Sequence, residues 1–268
     1  SSDSNIISNN TIKDNYESIL VCYSDDNVIS NNFIEDGNNG IQLCFSDDNT
    51  ISNNTIKDSD EGIKVYNSPY SIISNNTIID SNGVGIFLDF NSDNVVVKYN
   101  TIYGHDVGLD LEATYFSSLS DIVIKYNNIT SNDIGIDLGP DTNDFSGDIS
   151  DVVIKHNNIT GNNDYGIYSH GNISDVVIKH NNITGNDDYG IYSLSSVNAA
   201  YNWWGSADGP FGDANTINNL SLVDISPWLA YPVGTSSMYY VWFVQDGEII
   251  QDAIDNATSG DYIRVWAG

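Results

Sequence analysis

The chain has 268 residues, with 8 Lys+Arg against 37 Asp+Glu and a formal net charge of −29. So acidic a surface repels nucleic acid, anionic lipid and acidic polysaccharide unless cations bridge the contact. No run of 18 or more apolar residues occurs, so no span of a membrane is expected, and an apolar content of 40% that recurs periodically argues against disorder.

From the first residues onward the chain repeats. An asparagine stands at 10, 32, 54, 76, 100, 127, 157, 181 and 202, each inside an Asn-Asn-x-Ile type phrase, at intervals of 22, 22, 22, 24, 27, 30, 24 and 21 residues. A unit this short cannot bury its own apolar face and must stack on its neighbours as a solenoid. In residues 5–26, the stretches around Ile6-Ile7, Thr11-Ile12 and Ser18–Tyr23 read as three short strands, with Asn, Asp and Ser filling the turns between them. Three strands and three turns per unit describe a right-handed parallel β-helix of about nine coils.

The recurring asparagine is expected at a sharp left-handed corner, its amide bonded to its equivalents ~4.8 Å above and below. A second column, Gly40, Gly62, Gly85, Gly108, Gly135, Gly166 and Gly190, reads as corner glycines, each before an inward apolar residue. Alternation then assigns Gln42, Lys64, Phe87, Asp110, Asp137, Tyr168 and Tyr192 to one outward column. Lys98, Lys125, Lys155 and Lys179 form another, where earlier coils have Ser8, Ser30, Ser52 and Ser74. They read as a solvated ladder balancing nearby carboxylates. Residues 150–169 and 174–193 differ at one position only, Asn163 against Asp187.

Three coils carry extra residues, at 112–120, 139–150 and 170–174, expected as short loops leaving one edge of the helix. At Tyr201 the repeat stops. The β-helix is therefore assigned to residues 1–200 and a Trp- and Pro-rich end cover to 201–235, since an open solenoid end invites edge pairing. A tryptophan platform for sugar is the alternative for that cover. Residues 236–268 read as strand, short helix and strand, suited to the start of a further β-helix module. With Ser1 falling inside a coil, the expectation is a window on a longer chain of tandem modules, or a last segment that docks on another copy.

The Asn-Asn-Thr-Ile and Gly-Ile coils resemble the parallel β-helix repeats of the pectin-lyase-like superfamily. Joined to Asn202-Trp203-Trp204-Gly205, Gly209-Pro210 and Ser226-Pro227-Trp228-Leu229, they resemble extracellular repeat proteins of methanogenic archaea, including surface-layer and sheath-type proteins. Ile250-Gln251-Asp252-Ala253-Ile254 with Gly260–Val265 is similar to the opening motif of the same β-helices. The resemblance specifies fold strongly and function weakly, because the superfamily includes lyases, hydrolases, epimerases, adhesins and inert wall proteins.

Lyases of this superfamily carry a basic residue that removes a proton, and the one arginine, Arg264, lies in the terminal segment. Hydrolases need two carboxyl groups roughly 5–10 Å apart; the best constellation is His105 with Asp106, Asp110 and Glu112, against a plain turn histidine. Asp14, Asp36, Asp58 and Asp80 share one coil position and should stack ~4.8 Å apart. Splaying into solvent, an elevated pKa or bound Ca²⁺ would relieve their repulsion, and Asp141, Asp144, Asp148 and Asp151 form a second cluster. Cys22 and Cys44 stack within disulfide range, with two free thiols as the alternative. Among the sequons, Asn128, Asn158, Asn182 and Asn172 are candidates for glycan attachment, while stacked His156 and His180 make a weak metal site. The resulting expectation is a structural, non-enzymatic cell-surface protein that assembles with copies of itself into an extracellular layer, tube or sheath. An adhesin or carbohydrate-binding module comes second and a polysaccharide lyase or hydrolase third.

Overall fold

In a computed structural model, residues 3–80, 82–113, 117–139, 147–211, 216–235, 239–244 and 250–265 are described. The fold is a right-handed parallel β-helix, built almost wholly from strands. Its first sheet stacks Ile6–Ser8, Val28–Ser30, Thr50–Ser52, Ile72–Ser74, Val96–Lys98, Val123–Lys125, Val153–Lys155, Val177–Lys179, Val197–Asn198 and Val223–Asp224 in parallel register. The last of these strands adds a rung beyond Tyr201, where the sequence pattern has already faded.

The second sheet has thirteen strands. In the early coils it consists of long strands, Thr11–Cys22, Phe33–Cys44 and Thr55–Tyr66. Each bends at an aspartate with positive φ, Asp14 (56°), Asp36 (56°) and Asp58 (50°). From Thr77–Ile79 and Val84–Asp89 onward the long strand divides in two. Inside, Ile29, Ile51, Ile73, Val97, Ile124, Ile154 and Ile178 are fully buried, one per rung. Each such side chain contributes roughly 1.5–3 kcal/mol by leaving water.

The asparagine ladder is continuous. The Asn54 Nδ2 donates to Asn76 Oδ1 (3.0 Å) and to the carbonyl of Ile29 (3.0 Å), and its backbone N–H also reaches Asn76 Oδ1 (2.9 Å). The same pattern runs to Asn181 and Asn202. The left-handed residue, however, is the one before it: Asn9, Asn31, Asn53, Asn75, Tyr99, Tyr126, His156, His180 and Tyr201 carry the positive φ. From Asn32 onward the ladder residue points inward and is buried, because its amide must satisfy carbonyls that the turn leaves unpaired. The glycine column also has a different cause from a turn. A Cβ at Gly85 or Gly135 would lie 2.5 Å from the carbonyl oxygen of the next glycine in the column, so close approach of successive coils excludes a side chain.

All three insertions include a strand rather than loop alone: Ser118–Ser120, Asp148–Ser150 and Asn172–Ser174 make a third parallel sheet. At the far end Trp204 and Trp228 are buried, with Trp228 Nε1 donating to the Ala207 carbonyl (3.0 Å). Burial removes both rings from use as a sugar platform. Tyr240–Val244 pairs antiparallel with Trp228–Leu229 and parallel with Tyr262–Val265. Arg264 Nη1 lies 2.8 Å from Asp208 Oδ1, so the terminal segment packs on the end of its own chain. No helix of the described residues is long and apolar enough to cross a membrane, which says nothing of β-barrels.

Candidate functional site

The second sheet's outward face in the later coils gathers the chemistry. In Val107–Glu112, Ile134–Leu138, Tyr165–Ser169 and Tyr189–Ser193, alternation buries Leu109, Ile136, Ile167 and Ile191 completely and turns every second side chain outward. Register aligns Asp110, Asp137, Tyr168 and Tyr192 in one column and Val107, Ile134, Tyr165 and Tyr189 in the next. Glu112 pairs with Asp89 on the preceding rung.

Asp137 is the most covered of these acids, 5% exposed, and its Oδ1 lies 2.9 Å from His170 Nε2. His170 stacks on Tyr168 with ring centroids 4.4 Å apart. Its placement depends on Gly139, at φ 147°, where a Cβ would sit 2.3 Å from the His170 carbonyl oxygen. Tyr165, Tyr168, Tyr189 and Tyr192 form a cluster, with Tyr168 edge-on to Tyr192 (5.5 Å) and Tyr189 edge-on to Tyr192 (5.2 Å). Burial, then the Asp137 carboxylate, raises the Tyr168 pKa; burial, then Asp188 and Asp164, raises that of Tyr165. Both phenols therefore stay neutral hydrogen-bond donors. At the adjoining corner, burial and then Asp133, Asp188 and Asp187 raise the Asp164 pKa.

Of the acid/base constellation read from the sequence, Asp110 and Glu112 lie on this face and His105 does not. His105 is 3% exposed, and its Nε2 lies 3.1 Å from the Ile78 carbonyl. It occupies the rung of a second amide ladder, Asn132–Asn162–Asn186, and does the asparagine's work there. Asp137 and His170 were missed as a pair because they are 33 residues apart across an enlarged coil. Extending the outward alternation one step past Tyr168 would have placed His170 diagonally beside Asp137.

The other candidate residues lie elsewhere. Asp14, Asp36, Asp58 and Asp80 are exposed corner residues; Asp148 is exposed; Asp141 and Asp144 lie outside the described residues. Cys22 and Cys44 are joined in a disulfide, Cα atoms 4.6 Å apart. Asn128 and Asn172 are exposed, whereas Asn158 donates to Asn128 Oδ1 (2.8 Å) and Asn182 Oδ1 accepts from the Val233 N–H (2.8 Å). Among the described residues, no group of three His, Cys, Asp or Glu could hold a metal ion.

A family model described as periplasmic copper-binding protein (NosD) matches residues 1–146, more than half of the chain. The chain belongs to the NosD family. A second model, for a right-handed beta helix region, matches residues 111–202. No curated protein matches the sequence. Among solved structures, this NosD-family chain is similar to a tailspike protein of E. coli bacteriophage HK620 in complex with a pentasaccharide, at TM-score 0.60 and 14% identity over 70% of this chain and 40% of that one. It is similar also to a hyperthermoactive exopolygalacturonase from Thermotoga maritima, at TM-score 0.58 and 16% identity over 70% of this chain and 49% of that one. A third is an endo-xylogalacturonan hydrolase from Aspergillus tubingensis, at TM-score 0.56 and 12% identity over 93% and 67%. The chain thus spans about half the length of the exopolygalacturonase, or less than half in the case of the tailspike.

These findings correct the expectation of a non-enzyme. That expectation rested on finding no site in the coils. The fold is shared with two polysaccharide hydrolases, and the face described above brings carboxylates, an imidazole and tyrosines together. Copper, by contrast, finds no fitting donor set among the described residues. Both cysteines are oxidised, and His105 and His170 are committed to Ile78 and Asp137. His156 and His180 stack 5.2 Å apart within 12° of parallel. A ring nitrogen's lone pair lies in its ring plane, so two nearly parallel planes cannot both meet one ion.

Proposed function

We propose that the protein acts on a polysaccharide outside the cytoplasm, by hydrolysis on the face formed by Asp110, Asp137 and His170. The observation that carries this reading is the Asp137–His170 contact beside Asp110 on the adjacent rung. Strand partners sit ~4.8 Å apart at the backbone, which leaves two splayed carboxyl groups within the range that glycoside hydrolysis uses. Asp110, half-buried, is the group open to substrate. Asp137 is its partner, held in orientation by His170. The tyrosines beside them offer phenol donors and ring surface to sugar hydroxyls and C–H faces. The local excess of carboxylates disfavours uronate chains here and favours a neutral glycan. The test is release of reducing ends from a panel of neutral and acidic polysaccharides. Turnover should fall at least about 100-fold in Asp110→Asn and Asp137→Asn, with the circular dichroism of the β-helix retained. Turnover in both variants equal to that of the unaltered protein, or none with any polysaccharide, would sink the reading.

Assembly into an extracellular layer, tube or sheath, of the archaeal kind that the Trp-Trp-Gly phrase resembles, is a second reading. It is favoured by the stiffness that unbroken amide ladders give the rod, and ordered polymers in electron micrographs would support it. Calcium at the Asp14, Asp36, Asp58 and Asp80 column is a further part of it. The stacking of exposed acids supports calcium there, and a melting temperature unmoved by calcium would remove it.

A further inference from the structure

The first sheet carries a feature that the hydrolytic face does not use. Lys98, Lys125, Lys155 and Lys179 stack in register on four successive rungs. Among the described residues the ion pairs of the chain involve Lys13, Lys57, Lys64, Arg264 and His170, and none of these four. Four of the seven lysines in a chain of net charge −29 stand together, with no carboxylate of the described residues within ion-pair distance. Neighbouring ammonium groups ~4.8 Å apart repel by roughly 1 kcal/mol in water and more where solvent is partly excluded.

Beside each lysine, a left-handed corner throws a ring outward. Tyr99, Tyr126, His156 and His180 have φ of 59°, 58°, 56° and 54°. Their rings stack at 5.1, 5.1 and 5.2 Å within 12° of parallel. The faces of the inner rings are thus spent on one another, and ring edges, which carry positive charge, point to solvent. Burial, followed by Lys155 and Lys179, lowers the His156 pKa, and no carboxylate contributes. In the early coils the same positions hold Ser8, Ser30, Ser52 and Ser74 and Asn9, Asn31, Asn53 and Asn75. Lysine and ring arrive together, in the later coils only.

We propose that this strip of stacked lysines and ring edges is a second binding surface, which takes a linear anionic polysaccharide laid along the helix axis. Charges on such a chain would meet the ammonium groups, and its hydroxyls would meet the tyrosine phenols. A nucleic acid fits less well, since base stacking needs open ring faces. So does a second copy of this protein, which would bring its own acidic flanks within the ~8 Å over which charge is felt at physiological salt. A single polymer chain sets only its own width against the strip. The surface does not depend on the hydrolytic reading, because it lies on a different sheet.

The test uses the full chain and titrates polygalacturonate, dextran sulfate, neutral dextran and poly(dT) at several salt concentrations. Polygalacturonate, dextran sulfate or both should bind, weakening as salt rises, and neutral dextran should not. Which of the two binds more tightly tells carboxylate from sulfate. Replacing Lys98, Lys125, Lys155 and Lys179 by Ser, the residue of the early coils, should weaken binding at least about tenfold at low salt. The double change Lys125→Ser and Lys155→Ser should give an intermediate loss and serves if the fourfold variant does not fold. Asp110→Asn should leave this binding unchanged, which separates failure here from failure of the hydrolytic site. The proposal is overturned by unaltered binding in the lysine variants, by equal binding of neutral dextran, or by tighter binding of poly(dT). Lysine-dependent dimerisation in the ultracentrifuge without polyanion binding would overturn it as well.

Discussion

The coils up to Tyr66 and those from Val84 onward share one interior and part company outside. In both, a buried aliphatic residue per rung and a stacked asparagine hold successive coils in register. In the early coils the outward column is Leu20, Gln42 and Lys64, the corners are Asn and the strand ends are Ser. In the later coils the same positions become Asp110, Asp137, Tyr168 and Tyr192 on one sheet and lysine with Tyr or His on the other. The third sheet, Ser118–Ser120 with Asp148–Ser150 and Asn172–Ser174, also belongs to the later half alone. A stacked fold constrains inward positions alike on every rung and leaves outward ones free, so specialised chemistry collects where the outward residues depart from the repeat.

The largest effect that would break this comparison comes from the shared interior. Asn127→Ala removes the acceptor for two Asn100 donors and the donor to the Val97 carbonyl, all buried. At about 1–3 kcal/mol per orphaned buried group, the loss should exceed about 3 kcal/mol in urea denaturation. Asn10→Ala, at the exposed first rung, should cost under about 1 kcal/mol. Equal losses would show that the ladder's strength does not come from burial. Next in size is the Cys22–Cys44 link, which closes a loop of 22 residues found only in the early coils. Its reduction should cost about 3 kcal/mol on loop-entropy grounds, with amide exchange rising in Thr11–Cys22 and Phe33–Cys44 and not in Tyr165–Ser169. A uniform rise would mean that the two halves unfold as one.

The smallest effect is one of pH and belongs to the later corners. Burial, ahead of the neighbouring charges, lowers the pKa of His156 and His180 below 6.5. The folded state thus prefers the neutral rings. Their contribution is present above about pH 6.5 and is lost as pH falls through the lowered values. The melting temperature should decline on acidification from pH 7 towards 5, and less steeply in a His156→Gln, His180→Gln variant. An identical decline in both proteins would assign it to other groups.

The repeat made the fold legible, since 22-residue periodicity, β-rich stretches and Asn corners leave few architectures open. What the sequence concealed was cause and partnership. The left-handed residue precedes the ladder asparagine, because a buried amide must face inward to reach carbonyls such as that of Ile29. The glycines follow from the carbonyl of the neighbouring coil, a contact between units that no single unit displays. His105, weighed in the sequence as an acid/base candidate against a plain turn histidine, is neither: it is buried and stands in for asparagine in a ladder. The Asp137–His170 pair depended on coil lengths that the insertions had altered, so its register was hidden until the strands were placed.

The claim that the outward face of the later coils engages sugar can be tested by hydrogen exchange with a bound oligosaccharide of whichever polysaccharide the protein turns over. Protection is expected in Val107–Glu112, Ile134–Leu138, Tyr165–Ser169 and Tyr189–Ser193. Protection concentrated instead in Thr11–Cys22, Phe33–Cys44 and Thr55–Tyr66 would place the site in the early coils and contradict it.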